Sequence, residues 1–431
     1  MPDPLQQHYE TLAYPAMSHP PSDPALTAAS AWLRGHRAPD PAHATILEIG
    51  CGSGLNLIPL ALRWPKSRLV GIDLSRTAIA EAQSLASESG VSNVRFIAAD
   101  LREFRTAPGA VDFIIAHGFL SWVPDDVKAA LFTCCEHSLS PQGIATISFN
   151  VRSGWEARFP VIKKTRAILA AGTGDIPTAL GILRSVTEPD SPEIPIIDDM
   201  LAKGPSILAF DDFGPVNDPL SLEQVVLTAE NSRLKWIGES EYAENFRASP
   251  SGELSDQIAA DAENPRTFRS TVFSKKYPEA VDFEAVIESI PIFVHSSSSV
   301  TNEELKQLIE ANAFAESRCV PLDSLPFPPT VLKQLLESGE LIPRTEPLRF
   351  DPRPPERPCL NSFRLACARR HLPLVDVWHK ACAFPEAQYP ILSAMDGTRD
   401  IDGLARFSES HCPNLDFRAW LGHLAWRGMF A

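Results

Sequence analysis

Three glycines alternate where the first predicted strand ends and a helical pattern begins: Gly50, Gly52 and Gly54. Glycine at such a turn lets the backbone approach a ligand and point its amide groups at it. The dinucleotide fingerprint GxGxxG would need a glycine at the position of Leu55, and the chain has no GxxxxGK[ST] loop. The turn therefore favours a ligand that carries no phosphate.

Two carboxylates follow the next strands of the same predicted sheet. Asp73 ends the second strand and Asp100 follows the third, where one can accept two ribose hydroxyls and the other the amino group of adenine. With the glycine turn, they predict binding of S-adenosylmethionine, which needs room for a nucleoside and an amino-acid tail. The predicted cofactor residues are Tyr14, Glu48, Gly50, Gly52, Gly54, Asn56, Asp73, Leu74, Asp100, Leu101 and His117.

The elements that must position these residues follow from the hydrophobic pattern. Apolar runs alternate with helical stretches, which indicates a parallel sheet covered on both faces. The runs lie at residues 45–49, 69–72, 94–98, 113–116 and 144–149, and strand patterns return at 234–237 and 270–275. The predicted fold class is α/β, a Rossmann-like mostly parallel sheet in a first domain of residues 1–280, with a proline-broken helical insertion at residues 155–230.

The last third of the chain has a mainly helical pattern. Residues 281–350 predict a winged-helix-like domain and residues 359–431 an α-rich C-terminal domain. The proline-rich segment 351–358 between them is typical of a stiff spacer. We therefore expect both units to dock as modules that supply no cofactor residue, so that residues 1–280 alone should still bind S-adenosylmethionine.

The acceptor side of the site is less specific in sequence. Methyl transfer from a sulfonium is an in-line displacement, so the enzyme contributes alignment and desolvation of a neutral nucleophile. The candidate catalytic residues are His117 at the end of the fourth strand, Trp122, and Asn150 at the end of the fifth. Trp122 and Trp155 could face a cation. Structural roles stay open: a loop-bonded histidine, core tryptophans, and an asparagine that holds the loop of Trp122.

The order of these features resembles the class I S-adenosylmethionine-dependent methyltransferases. A closer resemblance is to the bacterial enzymes that carry a methyltransferase regulatory domain, whose best known members methylate lysines on outer-membrane proteins. It covers most of the chain and rests on Tyr9, Tyr14-Pro15, His19-Pro20, residues 112–118, Ser121-Trp122-Val123-Pro124, Leu139-x-Pro141-x-Gly143, Asn150, Gly154-Trp155, and residues 264–271 and 396–400. The resemblance implies a lysine amine as acceptor.

The chain departs from that family's pattern in two places. The helical insertion contains Phe210-Asp211-Asp212-Phe213 where the family has a His-Glu-Tyr-like stretch. Phe149 replaces the tyrosine that usually precedes the asparagine after the fifth strand. Both changes remove a polar group from the expected site, so they leave the methyl donor unaffected but weaken the argument for a lysine acceptor.

The N-terminal segment is unusually aromatic for a tail. Two of the five tyrosines, Tyr9 and Tyr14, lie close to Met17 and to several prolines. Because disordered tails are poor in aromatic residues, we expect residues 1–43 to form an ordered flap over the cofactor. A helix docked on the surface is the alternative.

Composition excludes several classes of function. The 431 residues are 44% hydrophobic and 22% charged, which is typical of globular proteins with more than one domain. The net charge of −15 disfavours nucleic acid and anionic membrane surfaces as partners. Eight scattered cysteines and no paired-histidine helix predict reduced thiols and no metal site. With no membrane-span or signal-peptide pattern, we expect a cytoplasmic protein, and the oligomeric state stays open.

Three functions remain. The leading hypothesis is a methyltransferase that acts on a protein or peptide at a lysine amine, with the C-terminal region recognising the substrate. A methyltransferase for a small natural product or for a peptide carboxylate is the second. The third is a sensor or scaffold that binds the cofactor without turning it over.

Overall fold

The computed structural model describes residues 10, 14–247, 249–310 and 319–430. Tyr9 and the rest of the predicted flap before residue 14, residue 10 excepted, lie outside the described residues. The strands are β1 Thr45–Ile49, β2 Arg68–Asp73, β3 Val94–Ala98, β4 Val111–Ala116, β5 Leu139–Asn150, β6 Lys235–Glu239, β7 Phe268–Ser274, β8 Phe293–Ser296, β9 Val320–Pro321, β10 Leu341–Arg344, β11 Leu374–Val375 and β12 Ala381–Cys382.

The helices fall mainly between the strands and in the last third of the chain. They are α1 Pro24–Leu33, α2 Leu57–Arg63, α3 Arg76–Glu88, α4 Asp125–Ser138, α5 Arg152–Glu156, α6 Arg158–Ala170, α7 Ile176–Val186, α8 Ile194–Leu201, α9 Pro205–Ile207, α10 Leu222–Asn231, α11 Leu254–Glu263, α12 Phe283–Ser289, α13 Glu303–Glu310, α14 Pro329–Glu337, α15 Ser362–Arg369, α16 Tyr389–Ser393, α17 Ile401–His411 and α18 Phe417–Trp426. None of these described helices has the length and apolar character to cross a bilayer.

The first domain is built on a seven-stranded sheet in the order β3-β2-β1-β4-β5-β7-β6. The first five strands in that order are parallel, and β7 runs antiparallel to both β5 and β6. The predicted Rossmann-like, mostly parallel sheet is therefore confirmed. The order reverses between β1 and β4, and in such sheets the connections diverge there and leave a crevice at the carboxyl ends of the strands.

Both faces of the sheet are covered, which explains the apolar strand runs. Side chains of α2 and α3 pack with Ile46 and Phe113 on one face. Side chains of α4 and α10 pack with Leu47 and Ile114 on the other. Successive strand residues point to opposite faces, so a strand buried on both sides needs apolar residues at nearly every position.

The helical insertion is shorter than predicted. A separate small core joins Trp155 to Val161, Leu180 and Ile197, all from the helices between β5 and α10. Helix α10, which the sequence places inside the insertion of residues 155–230, instead packs its Leu222 against the sheet. Its apolar periodicity is the same in either place, so only the tertiary contacts assign this helix to the sheet.

The last third of the chain is mainly helical, as its sequence pattern predicts. Its two units do not pack as independent modules. A three-stranded sheet, β10-β8-β9, lies with α12 to α14, and a hairpin of β11 and β12 lies with α15 to α18. One buried apolar cluster runs from Ala25 in α1 through Leu336 in α14 to Phe363 in α15. Helix α15 packs on α3, and Ser362 Oγ donates to Ser89 O at 2.6 Å. The expectation of modular docking is wrong, because the units share one core.

A buried ion pair joins the same units. Asp23, at the start of α1, is fully buried and lies 2.7 Å from the guanidinium of Arg344 and 3.0 Å from that of Arg63. Burial alone would raise the pKa of Asp23, but the two guanidinium groups hold it well below its usual range. A lowered pKa means that the pair stabilises the fold above the ordinary carboxyl pKa and that this contribution is lost as the pH falls.

Candidate active site

The glycine turn between β1 and α2 faces a cavity. Gly50, Gly52 and Gly54 have φ angles of 76°, 51° and 80°, in the left-handed region that favours glycine. Among the described residues, a Cβ atom at Gly52 would meet no atom within 4 Å. At Gly50 or Gly54 it would lie 2.8 or 2.7 Å from a phenylalanine ring. Gly52 thus leaves open space for a ligand, while protein atoms fill the corresponding space at the other two glycines.

The cavity has a volume of about 760 Å³ and opens at the carboxyl ends of the central strands. It is lined by twelve of the predicted site residues: Tyr14, Glu48, Gly50, Gly52, Asn56, Asp73, Leu74, Asp100, Leu101, His117, Trp122 and Asn150. Gly54 is the exception: it does not line the cavity, and Phe96 fills the space beside it, which favours a packing role over the predicted contact with the cofactor. Residues 14–17 and His19 form one wall, where the predicted flap would lie.

Asp73 and Asp100 lie at the ends of β2 and β3 in this cavity. Asp73 accepts hydrogen bonds from the backbone amides of Gly52 at 2.9 Å and Ser75 at 2.8 Å, and burial raises its pKa. Asp100 is bound by the guanidinium of Arg102 at 2.6 Å, which keeps the pKa of that carboxyl low. A carboxylate has about four acceptor positions, so Asp73 can fix the glycine turn and still accept ligand hydroxyls.

Asp73→Ala should weaken binding of S-adenosylmethionine by about 1.5 to 3 kcal/mol, because a charged acceptor for two hydroxyls is lost. Calorimetric titration of the folded variant measures the change. Asp112→Ala is the matched control, since Asp112 also accepts a backbone amide, that of Thr45 at 2.9 Å, but lies outside the cavity. Equal affinities of the two variants would show that Asp73 has only a structural role.

Beneath the glycine turn, Asn56 Nδ2 donates to Glu48 Oε1 at 2.7 Å. The other carboxyl oxygen, Oε2, is buried and has no hydrogen-bond partner among the described residues, and burial raises the pKa of Glu48 to about 8. An unpaired buried polar atom costs free energy, so we expect a ligand group to satisfy it. The open face at Gly52, the acceptor positions of Asp73 and this oxygen fit a nucleoside with an amino-acid tail.

His117 lies in the wall of the cavity at the end of β4. Its ring stacks on that of His19, with centroids 4.0 Å apart, and approaches Phe268 at 5.4 Å. Burial lowers the pKa of His117 well below its usual value, and its Nδ1 atom has no hydrogen-bond partner among the described residues. His117 is therefore a neutral imidazole that faces the ligand space.

Asn150 connects the loop of Trp122 to the helical insertion. Its backbone amide donates to Ser121 Oγ at 2.9 Å, so the end of β5 holds that loop. Its side-chain Nδ2 donates to Asn217 Oδ1 at 3.1 Å, and Asn217 Nδ2 donates to the carbonyl of Asp211 at 2.9 Å. Asn150 both lines the cavity and supports the segment that carries Asp211.

Asp211 is the main site residue that the sequence did not predict. It lies in a π-helical turn at Leu208–Asp212 and lines the cavity. Tyr14 donates to its Oδ1 at 3.4 Å, and burial raises the pKa of Asp211 to about 6. The sequence suggests that the segment 210–213 lacks the family's proton acceptor, but this segment brings the carboxylate of Asp211 to the cavity. Single π-helical turns are frequent at functional sites.

The neighbouring charges are structural. Asp212 is buried and paired with Arg158 at 2.9 Å and Lys203 at 2.7 Å. The guanidinium carbon of Arg158 lies 5.3 Å from the ring centroid of Trp155, and Trp155 Nε1 donates to Thr267 O at 3.0 Å. The indole of Trp155 is therefore occupied by protein contacts. Within the described ranges, no three His, Cys, Asp or Glu side chains are grouped as metal ligands.

The second departure from the family pattern lies outside the site. Phe149 is fully buried in the core cluster that covers the α4 face of the sheet, and it does not line the cavity. Because successive strand residues alternate in direction, Asn150 points to the cavity and its predecessor to the core. The phenylalanine therefore removes no polar group from the cavity.

A family model described as a methyltransferase domain matches residues 46–143, which hold the glycine turn, Asp73, Asp100 and His117. These residues are similar to a methyltransferase domain, and the fold around them is the class I methyltransferase fold. Enzymes of this class use S-adenosylmethionine as the methyl donor. The methyltransferase domain matches the sequence-based expectation of fold and enzyme class.

Comparisons with individual proteins extend this result. The structure of PKMT2 from Rickettsia typhi in complex with AdoHcy has a TM-score of 0.81 at 18% identity, over 97% of this chain and 99% of that chain. An uncharacterised protein of Rickettsia prowazekii (strain Madrid E) is 37% identical over 147 residues. Trans-aconitate 2-methyltransferase of Escherichia coli (strain K12 / DH10B) is 35% identical over 102 residues. The aligned stretches span only 27% and 37% of the length of these two relatives.

Proposed function

We propose that this protein transfers a methyl group from S-adenosylmethionine to an amine of a protein or peptide, namely the side chain of a lysine. The observation that carries the proposal is the continuous cavity that joins the glycine turn at Gly52 to the carboxylate of Asp211. An in-line displacement needs donor and acceptor in one enclosed space, with little competing water. The cavity offers a donor site and an acceptor site side by side.

Residues at the end of the sheet hold the donor. When bound, S-adenosylmethionine supplies a methyl group on a positively charged sulfur. The open face of Gly52 allows close approach of the donor to the backbone, Asp73 accepts its ribose hydroxyls, and Asp100 and Leu101 border its adenine. These residues orient the donor and exchange no proton. PKMT2, which shares this architecture, is in complex with AdoHcy, the product that remains after transfer.

The acceptor side of the cavity stabilises the positive charge that develops on the amine during transfer. Transfer forms an N–C bond as the S–C bond breaks, so the positive charge moves from sulfur to the amine nitrogen. With a pKa of about 6, Asp211 is ionised at neutral pH, accepts a hydrogen bond from the amine and stabilises the charge that develops on it. Neutral His117 adds no opposing charge. The lysine ammonium must lose its proton to solvent before the attack, and the methylated amine leaves the site as a cation.

A lysine acceptor is supported by the extent of the structural likeness. The name of PKMT2 denotes a protein lysine methyltransferase, and the likeness includes both C-terminal units. A carboxylate acceptor is disfavoured by the charges, because the cations that line the cavity are already paired with carboxylates: Arg158 and Lys203 with Asp212, and Arg102 with Asp100. The match to trans-aconitate 2-methyltransferase covers 24% of this chain, too little to argue for a small-molecule acceptor.

Asp211→Asn should lower kcat/KM for the amine acceptor by about a hundredfold, because the neutral amide cannot stabilise the developing charge. Affinity for S-adenosylmethionine should stay unchanged. The wild-type rate should fall as the pH drops through about 6, where Asp211 gains a proton, and the variant should lack this limb. Asp198→Asn is the control, since Asp198 is an exposed insertion residue paired with Arg184. Equal kcat/KM values for the two variants would exclude Asp211 from acceptor chemistry.

The acceptor class can be tested with the full chain and radiolabelled S-adenosylmethionine in a host lysate. Label on lysine side chains of protein supports the proposal. Label on small molecules or on carboxylates would replace it with the second hypothesis. If the protein binds the donor but transfers label to no fraction, a cofactor sensor is the better description.

A further inference from the structure

The side chain of Asn56 is the point where three parts of the chain meet. It is buried directly before α2, and its Oδ1 accepts hydrogen bonds from the backbone amide of His19 at 2.9 Å and from His379 Nε2 at 2.8 Å. Its Nδ2 donates to Glu48 Oε1 at 2.7 Å and to Ser22 Oγ at 3.1 Å. The amide is therefore held from the N-terminal segment, from β1 and from the C-terminal unit.

These hydrogen bonds determine which ring nitrogen of His379 carries the proton. The backbone amide of His19 can only donate, so the Asn56 atom that faces it is the carbonyl oxygen. The Nε2 atom of His379 faces the same oxygen, so Nε2 must carry the ring proton. Burial lowers the pKa of His379 to about 3, so the ring is the neutral Nε2–H tautomer. His379 therefore donates a hydrogen bond to the side chain of Asn56, which directly follows the glycine turn.

The position of His379 is set by its hairpin. It lies in the turn between β11 and β12, is 1% exposed, and has a φ of 61°, a conformation that costs free energy in a residue with a Cβ. Asp376 stabilises the turn by accepting the backbone amides of Trp378 and Lys380, both at 2.9 Å. Ser18 Oγ donates to the carbonyl of His379 at 3.0 Å. The surroundings thus hold a strained residue against Asn56.

We infer that His379 is a positioning residue for the methyl donor and that the β11–β12 hairpin belongs to the donor site. His379 fixes the amide of Asn56, and Asn56 in turn fixes Glu48. Glu48 then presents its unpaired Oε2 to the amino-acid tail of the donor. The inference rests on the proposed function and adds a residue far beyond the matched methyltransferase domain.

The test compares His379→Asn with His379→Gln in the full chain. The Gln amide reaches the place of Nε2, whereas the Asn amide reaches only that of Nδ1, and both variants are neutral and unbranched at Cβ. Two ligands are titrated by calorimetry: AdoHcy, and 5′-methylthioadenosine, which has the same nucleoside but no amino-acid tail. Lys380→Ala is the control, because this exposed neighbour forms hydrogen bonds to the described residues only through its backbone.

We expect His379→Asn to bind AdoHcy about tenfold more weakly and 5′-methylthioadenosine within about twofold of wild type. His379→Gln should recover AdoHcy binding to within about threefold of wild type. Unchanged AdoHcy binding by the Asn variant, or an equal loss for both ligands, would overturn the inference. Failure of the wild type to bind either ligand would instead overturn the proposed function. Thermal unfolding confirms that each variant is folded.

Discussion

Gly52→Val should abolish binding of S-adenosylmethionine in a protein that remains folded. A Cβ atom at this position meets no atom of the part of the chain that the structure describes within 4 Å, so the branched side chain would project into the cavity where we place the donor. We expect affinity to fall by at least about a hundredfold, or roughly 2.7 kcal/mol. Calorimetry with S-adenosylmethionine and with AdoHcy measures the loss.

The matched control is Gly90→Val. Gly90 follows α3, has a φ of 70° and does not line the cavity, and a Cβ atom there would likewise meet no atom of the described ranges within 4 Å. Valine therefore imposes a similar backbone strain at both glycines and blocks the ligand space at only one. If both variants bind the donor like wild type, the cofactor does not lie against the glycine turn.

Removal of residues 281–431 should yield a fragment that neither folds cooperatively nor binds the donor. The sequence pattern alone predicts that residues 1–280 still bind the donor. We expect the opposite, because the cut exposes the apolar cluster that joins Ala25 to Leu336 and Phe363. It also leaves Asp23 without Arg344 and Asn56 without His379. Circular dichroism, denaturant unfolding and calorimetry of the fragment provide the measurements. A folded fragment with donor affinity near that of the full chain would contradict the shared core.

A single substitution tests the contacts between the units without shortening the chain. Arg344→Gln leaves the buried carboxylate of Asp23 with only part of its compensation, so we expect a loss of about 3 kcal/mol or more in the free energy of unfolding. Arg418→Gln breaks the exposed pair with Asp402 and should cost less than about 1 kcal/mol. Similar losses from both substitutions would show that the buried pair contributes no special stability.

The sheet and the grouping of the predicted cofactor residues around one cavity are predictable because their signals are local. Each strand is a short apolar run, and most of the predicted cofactor residues lie at or shortly after a strand end, as Asp73 does at the end of β2. Carboxyl ends of parallel strands meet at one edge, so sequence position alone brings these residues together. Gly54 differs from this group, because it does not line the cavity. A glycine needed for packing against Phe96 and one needed for a ligand look alike in sequence.

The acceptor side and the C-terminal contacts depend on tertiary structure. Asp211 is visible in the sequence, but its proline-broken surroundings give no periodicity that places it in the cavity. His379 lies 323 positions from Asn56, and no local pattern links the two. The apolar face of α10 is likewise compatible with packing on the insertion or on the sheet. Only the folded chain decides these three placements.

Helix α1 also determines when the protein can finish folding during its synthesis. All ten of its residues are buried, and it packs against β10 in the second unit as well as β6 in the first. During synthesis, α1 leaves the ribosome more than 300 residues before β10. The nascent chain therefore carries an apolar helix without this packing partner while those residues are made, and we expect chaperones to bind it and truncated chains to aggregate.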